Sequence, residues 1–114
     1  EKYLTEDAEI VISAFGTVGR IARSAVDSLR SEGYKVGLIR PLLVSPFPYK
    51  DFESLVPKCR HILDVEMNWG QMLRDVKMGV RYKVPVSFYG RSGGMCPGVA
   101  EIEEECRKLF AELS

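Results

Sequence analysis

Apolar residues in this chain fall into two alternating kinds of run. Glu9–Ala14 (EIVISA), Lys35–Ile39 (KVGLI), His61–Glu66 (HILDVE) and Val86–Tyr89 (VSFY) are short, and most of their positions are apolar. Runs of that length and density, rich in β-branched residues, predict strands buried on both faces. Between them the apolar positions recur at helical spacing. Ile21, Ala22, Ala25, Val26 and Leu29 predict a helix over Thr17–Glu32, with Thr17 as N-cap and Gly33 just past its end. Phe52 and Leu55 predict a short inward-facing helix from Tyr49 to Val56, and Met72, Leu73, Val76 and Val80 a helix over Gly70–Tyr82. Ile102, Cys106, Leu109, Phe110 and Leu113 carry the same spacing into a final helix.

Four strands, each followed by a helix, predict an α/β fold: an open three-layer α/β/α sheet with a parallel core and right-handed crossovers. The simplest winding puts the four strands in the order 2-1-3-4. The winding direction then reverses between the first and third strands, and a crevice opens beyond their C-terminal ends. The loops after those strands, Phe15-Gly16-Thr17 and Met67-Asn68-Trp69-Gly70, flank it. Arg40-Pro41 stops the second strand, because proline lacks the N–H that a ladder needs. The segment that follows, Pro41–Pro48, is an apolar connector with three prolines.

Composition narrows the function classes. The chain has 114 residues, 46% of them hydrophobic, enough for one domain with a single core. Sixteen basic and sixteen acidic side chains cancel, so nucleic acid, which rewards a basic face, is not expected as a partner. No run approaches the ~20 apolar residues of a membrane span. Cys59, Cys96 and Cys106 are odd in number and form no C-x-x-C pair, the pattern of reduced thiols in a cytoplasmic protein. His61 is the sole histidine, so the paired N and S ligands of a structural zinc site are missing and no metal ligands are assigned. The sequence opens at Glu1 without an initiator methionine, which suggests a piece of a longer chain.

The candidate chemistry gathers at the crevice. Phe15-Gly16-Thr17-Val18-Gly19-Arg20 turns from strand to helix, where backbone N–H groups can hold an anion. It lacks both the dinucleotide fingerprint and the P-loop lysine, and a tight turn at Gly16 with a close helix–sheet contact at Gly19 explains the glycines equally well. Glu66 ends its strand where a carboxylate can reach across the crevice, with Asp64 on the same face but deeper. A general base needs a second catalytic group, and the alternative is a carboxylate that accepts hydrogen bonds from loop N–H groups or from a partner. Met67, Asn68, Trp69 and Gln71 put aromatic and amide groups on one exposed loop and the helix start, a composition suited to an interface. Arg91, Gly93 and Gly94 fit either an anion nest or a flexible turn.

Taken in order, these segments resemble the α-chain of the 2-oxoacid:ferredoxin oxidoreductases, in the domain related to the C-terminal domain of transketolase. Val11-Ile12-Ser13-Ala14-Phe15-Gly16-Thr17, Val36–Pro41 with Pro46-Phe47-Pro48, Val65-Glu66-Met67-Asn68 with Gly70-Gln71-Met72, and Phe88-Tyr89-Gly90-Arg91 with Gly93-Gly94 carry the resemblance. Met95-Cys96-Pro97-Gly98 fits it less well. The resemblance implies residues 1–114 as a single domain, an extra antiparallel edge strand near Lys2–Thr5, and an enzyme that oxidatively decarboxylates a 2-oxoacid to an acyl-CoA. It also implies thiamine diphosphate with magnesium, iron–sulfur clusters and transfer of electrons to ferredoxin, all supplied by other domains and subunits. The expected role is therefore a scaffold or interface domain that is inactive alone, with no catalytic or cofactor-binding residues of its own. A free-standing module that binds an anionic ligand at the Gly16/Glu66 crevice is the alternative.

Overall fold

The computed structural model describes residues 2–14, 17–40, 49–55, 59–66, 73–80, 83–90 and 98–113, with the side chains of 17, 51 and 74 excepted. The strands are β1 (Lys2–Tyr3), β2 (Ile10–Ala14), β3 (Val36–Ile39), β4 (His61–Glu66) and β5 (Val86–Gly90). They are interleaved with α1 (Thr17–Ser31), α2 (Tyr49–Glu53), α3 (Leu73–Gly79) and α4 (Val99–Leu113). The sheet order is β1-β3-β2-β4-β5, with every pair parallel except the antiparallel β1–β3. The four parallel strands, counted along the chain, therefore stand in the order 2-1-3-4, and the extra edge strand is present at Lys2–Tyr3.

The alternation of side chains along each strand divides the core in two. Ile10, Ile12, Leu38, Leu63 and Val65 face α1 and α4, meeting Ala22, Val26, Leu29, Ile102 and Cys106. Val11, Ile39 and Ile62 face the other way, toward Phe52 and Leu55 and toward Val76 and Val80. Two helices are shorter than their periodicity predicts. α2 ends at Glu53, with Leu55 buried in the turn beyond it, and α3 ends at Gly79. A Cβ on Gly79 would stand 2.8 Å from the Phe52 Cβ, so the last turn of α3 closes onto the α2 segment where no side chain intervenes. Residues 70–72 and 81–82 of the predicted third helix lie outside the described residues.

The first crossing of the chain is tight. After β1 the backbone passes over β3 at Gly37, where a Cβ would lie 2.6 Å from the Leu4 carbonyl oxygen. Leu4 takes a left-handed conformation there, φ 55°. Arg30 of α1 ties the corner: Nε donates to the Val36 carbonyl at 2.8 Å, and Nη2 donates to the Leu4 carbonyl and to Asp7, each at 2.8 Å. At the far end of the sheet, Gly98 N–H donates to Glu101 Oε1 at 3.2 Å, one arm of a capping box, and the Tyr89 hydroxyl donates to the same carboxylate. Those two bonds fasten the end of β5 to the start of α4.

Gly37→Ala forces a methyl into the backbone of Leu4, which cannot yield as a flexible side chain would. Such overpacking costs about 1–3 kcal/mol, so the variant should melt several degrees lower, with amide exchange accelerated first at Tyr3 and Leu38. A melt unchanged from the parent chain would mean that the crossing is loose.

Candidate functional site

The winding reverses between β2 and β4, and the crevice opens past Ala14 and Glu66. Most of the predicted site residues belong to the loops around it. Gly16, Met67, Asn68, Trp69, Gln71, Arg91, Gly93 and Gly94 lie outside the described residues, and Thr17 is described in its backbone alone, as the first residue of α1. Glu66 is the one whose side chain is placed.

Glu66 is buried with Asp64, at 8% and 1% exposure, on the α2/α3 side of β4. The cross-strand neighbour of Asp64 is Ser13 of β2, also buried. Asp64 is hydrogen-bonded to both Glu66 and Ser13, and its Oδ2 has no partner among the described residues. Burial, then the hydrogen bond and charge of Glu66, push the Asp64 carboxyl well above the usual range, while the Ser13 bond pulls it back. Glu66 is thus engaged along its own strand. The polar residues Ser13 and Asp64, each set in an apolar strand, were the signal for this cluster, but their pairing depends on a register that no single strand reveals.

Arg40, just past β3, lies on the opposite side of the sheet. Its side chain runs along the first turn of α1, where a Cβ on Gly19 would be 2.6 Å from the Arg40 Cδ. The close contact expected of Gly19 is therefore with an arginine stem, which brings a guanidinium to the end of the helix where anions are favoured.

The amino-terminal end of the sheet holds a pair that sequence reasoning missed. His61 Nε2 is 2.7 Å from Ser87 Oγ. Burial lowers the His61 pKa, and Glu112 partly offsets that shift. No feature of either strand alone signals the contact, which arises from the offset of β5 against β4.

Metal and cluster chemistry can be tested on the same residues. Among the described residues no group of three or more His, Cys, Asp or Glu side chains could hold a metal ion. Cys59 packs on the α2/α3 side and Cys106 on the α1/α4 side. Burial raises their thiols to about 11 and about 12. Protonated thiols in two separate cores do not fit the thiolate ligands of an iron–sulfur cluster. The helices give no membrane signal either: among the described residues none is long and apolar enough to cross a bilayer.

The model of the pyruvate:ferredoxin oxidoreductase core domain II matches residues 8–102. The chain belongs to that family. Relatives of this core domain II chain are subunits of 2-oxoacid oxidoreductases. The ketoisovalerate oxidoreductase subunit VorB of Methanothermobacter marburgensis is 39% identical over 98% of this chain and 32% of its own length. The pyruvate synthase subunit PorA of Methanothermobacter thermautotrophicus is 30% identical over 95% of this chain and 30% of its own. The chain thus spans about a third of the curated relatives it matches. In fold it is similar to a 2-oxoglutarate:ferredoxin oxidoreductase of Magnetococcus marinus (TM-score 0.73, 23% identity, 90% of this chain and 18% of that one). It is similar also to a split-gene transketolase (TM-score 0.76, 12% identity, 97% of this chain and 41% of that one).

The Gly19–Arg40 contact has a measurable signature in this core domain II chain. Alanine is favoured over glycine within a helix by about 1 kcal/mol, but here its methyl must displace the Arg40 stem. Gly19→Ala alone should leave the urea midpoint nearly unchanged, whereas in an Arg40→Ala background it should stabilise by about that amount. Additive effects in the double-mutant cycle would show that the contact exerts no pressure.

Proposed function

We propose that this chain is a scaffold and interface domain in a subunit of a 2-oxoacid:ferredoxin oxidoreductase. The whole enzyme, on this reading, oxidatively decarboxylates a 2-oxoacid to an acyl-CoA and passes the electrons to ferredoxin in the cytoplasm. Thiamine diphosphate, magnesium and the iron–sulfur clusters are held by other domains and subunits. Family membership supports this reading, and the observation that carries it is the state of the polar groups beside the crevice. Asp64 is bonded to Ser13 and Glu66, and Arg40 lies along α1. Groups engaged with their own domain support a framework better than a reacting centre.

The relatives are named for different 2-oxoacids, ketoisovalerate, 2-oxoglutarate and pyruvate, while matching this chain. The choice of 2-oxoacid is therefore assigned to other parts of the enzyme. The crevice-side loop Met67-Asn68-Trp69 with Gln71, together with Glu66, Gly16, Thr17, Arg91, Gly93 and Gly94, is assigned to contact with a neighbouring domain or subunit. An anion-binding module acting alone at the Gly16/Glu66 crevice is less well supported, because the Glu66 carboxylate is buried beside Asp64.

Two measurements test the assignment. Calorimetric titration of the chain with thiamine diphosphate and magnesium should show no saturable binding, and micromolar binding would overturn the scaffold reading. Trp69→Ala should weaken subunit assembly in the complete enzyme by about 2 kcal/mol, the size of an interface hot spot, and leave the melt of the chain itself unchanged. A collapsed melt with intact assembly would make Trp69 a core residue.

A further inference from the structure

The two edges of the sheet are built differently. β1 offers two residues, one of them an exposed lysine, before the left-handed turn at Leu4. Shortness and charge are common guards against pairing with another chain. β5 has neither. Val86-Ser87-Phe88-Tyr89-Gly90 is five residues long and carries no charge and no proline. Among the described residues no strand lies beyond it. Phe88, at its centre, is 37% exposed.

The pairing with β4 fixes which backbone groups of β5 are left over. Ile62 N–H donates to the Pro85 carbonyl, while Val86 stands beside Ile62. A strand residue turns its N–H and C=O to one side, and successive residues alternate. Ser87 and Tyr89 therefore direct theirs at β4, and Val86, Phe88 and Gly90 direct theirs outward. Among the described residues no backbone group bonds to those three on the outward side.

We propose that β5 pairs antiparallel with β5 of a second copy of this chain, around a two-fold axis at Phe88. Phe88 then faces Phe88 of the second copy, and Val86 faces Gly90 in both directions. All three outward-facing residues become hydrogen-bonded pairs. Moving the axis to Ser87 or Tyr89 leaves one of the three without a partner. The side chains fit the same register. Val86 meets Gly90 and Ser87 meets Tyr89, so each larger side chain opposes a smaller one, and the two Phe88 rings form an aromatic pair. Charge is complementary as well. The exposed Lys83 ahead of β5 comes to the end of the other copy where Glu101 lies beside Tyr89, and the two lysines stay apart. A strand from an unrelated protein could share the backbone bonds but not this self-complementary register. Five residues a side bury less than the roughly 1,200 Å² of a stable complex, so the association is weak and concentration-dependent. It goes beyond the scaffold reading and uses the sheet edge, not the crevice loops.

Sedimentation equilibrium of the full chain from micromolar to millimolar concentration, paired with residue-resolved amide exchange, tests the edge. A monomer–dimer equilibrium should appear, with the Phe88 amide becoming protected as the dimer forms. The Ser87 and Tyr89 amides, bonded to β4, should be protected at every concentration. Phe88→Lys sets like charges opposite each other and should weaken dimerisation by about tenfold while the chain stays folded. If that variant fails to fold, the alternating protection in the parent chain decides the point. A chain that stays monomeric at millimolar concentration overturns the proposal. So does a dimer whose Phe88 amide stays unprotected, or one that a folded Phe88→Lys variant does not weaken. Protection of the Phe88 amide in the monomer would put another segment of the chain on the edge, and the pairing would fall.

Discussion

Coverage of β2 and β4 on both faces is the constraint on which the other elements depend. Ile10, Val11, Ile12 and Ile62 have no exposed surface at all. Parallel neighbours cannot be joined by hairpins, so each connection must cross a face of the sheet, and the crossing helices provide the cover. α1 and α4 close one side, and α2 and α3 the other. The outer strands follow from this arrangement. β5, at the edge, is only half-buried along its length, and β1 needs just two residues to cap the opposite edge.

A sheet closed on both faces leaves little room for polar groups, and this one admits them at the C-terminal ends of its central strands. Ser13 and Asp64 follow the apolar Val11 and Ile62 along the same face, and Glu66 follows Asp64. Burying carboxyl groups costs several kcal/mol unless they are neutralised or bonded. Here Ser13, Asp64 and Glu66 sit side by side on two adjacent strands. The cost falls where the winding reverses and the chain enters its crevice loops, the part of such folds where strict packing gives way to function.

The fold was legible because its signals are local and repeated. Each strand showed as a dense apolar run, each long helix as a stripe, and the simplest right-handed winding of four βα units gave the order 2-1-3-4. Lengths were less legible: periodicity carried α3 past Gly79, where the helix ends against Phe52. The site was read less completely for a related reason. That Asp64 shares a face with Glu66 follows from alternation, but Ser13 and Ser87 join their partners through strand register, and Arg40 meets Gly19 across the top of a crossover. A polar residue in an apolar strand or a glycine in a helix can mark such a place, but no single segment names the partner. Family membership entered through four short motifs in order, which together outweighed the ambiguity of each.

The corner at Leu4 bears on the order in which the chain takes shape. β1 precedes its partner in the chain, so it has nothing to pair with until Leu38 and Ile39 are in place, and its crossing needs the bare backbone of Gly37 beneath it. Its anchor, Arg30, sits near the end of a helix that must already be wound. Contacts between residues so far apart in sequence form late, after the loop between them has closed. The β1 edge is therefore among the last parts of this domain to settle, and it seals the sheet only when the β2-α1-β3 unit beside it is complete.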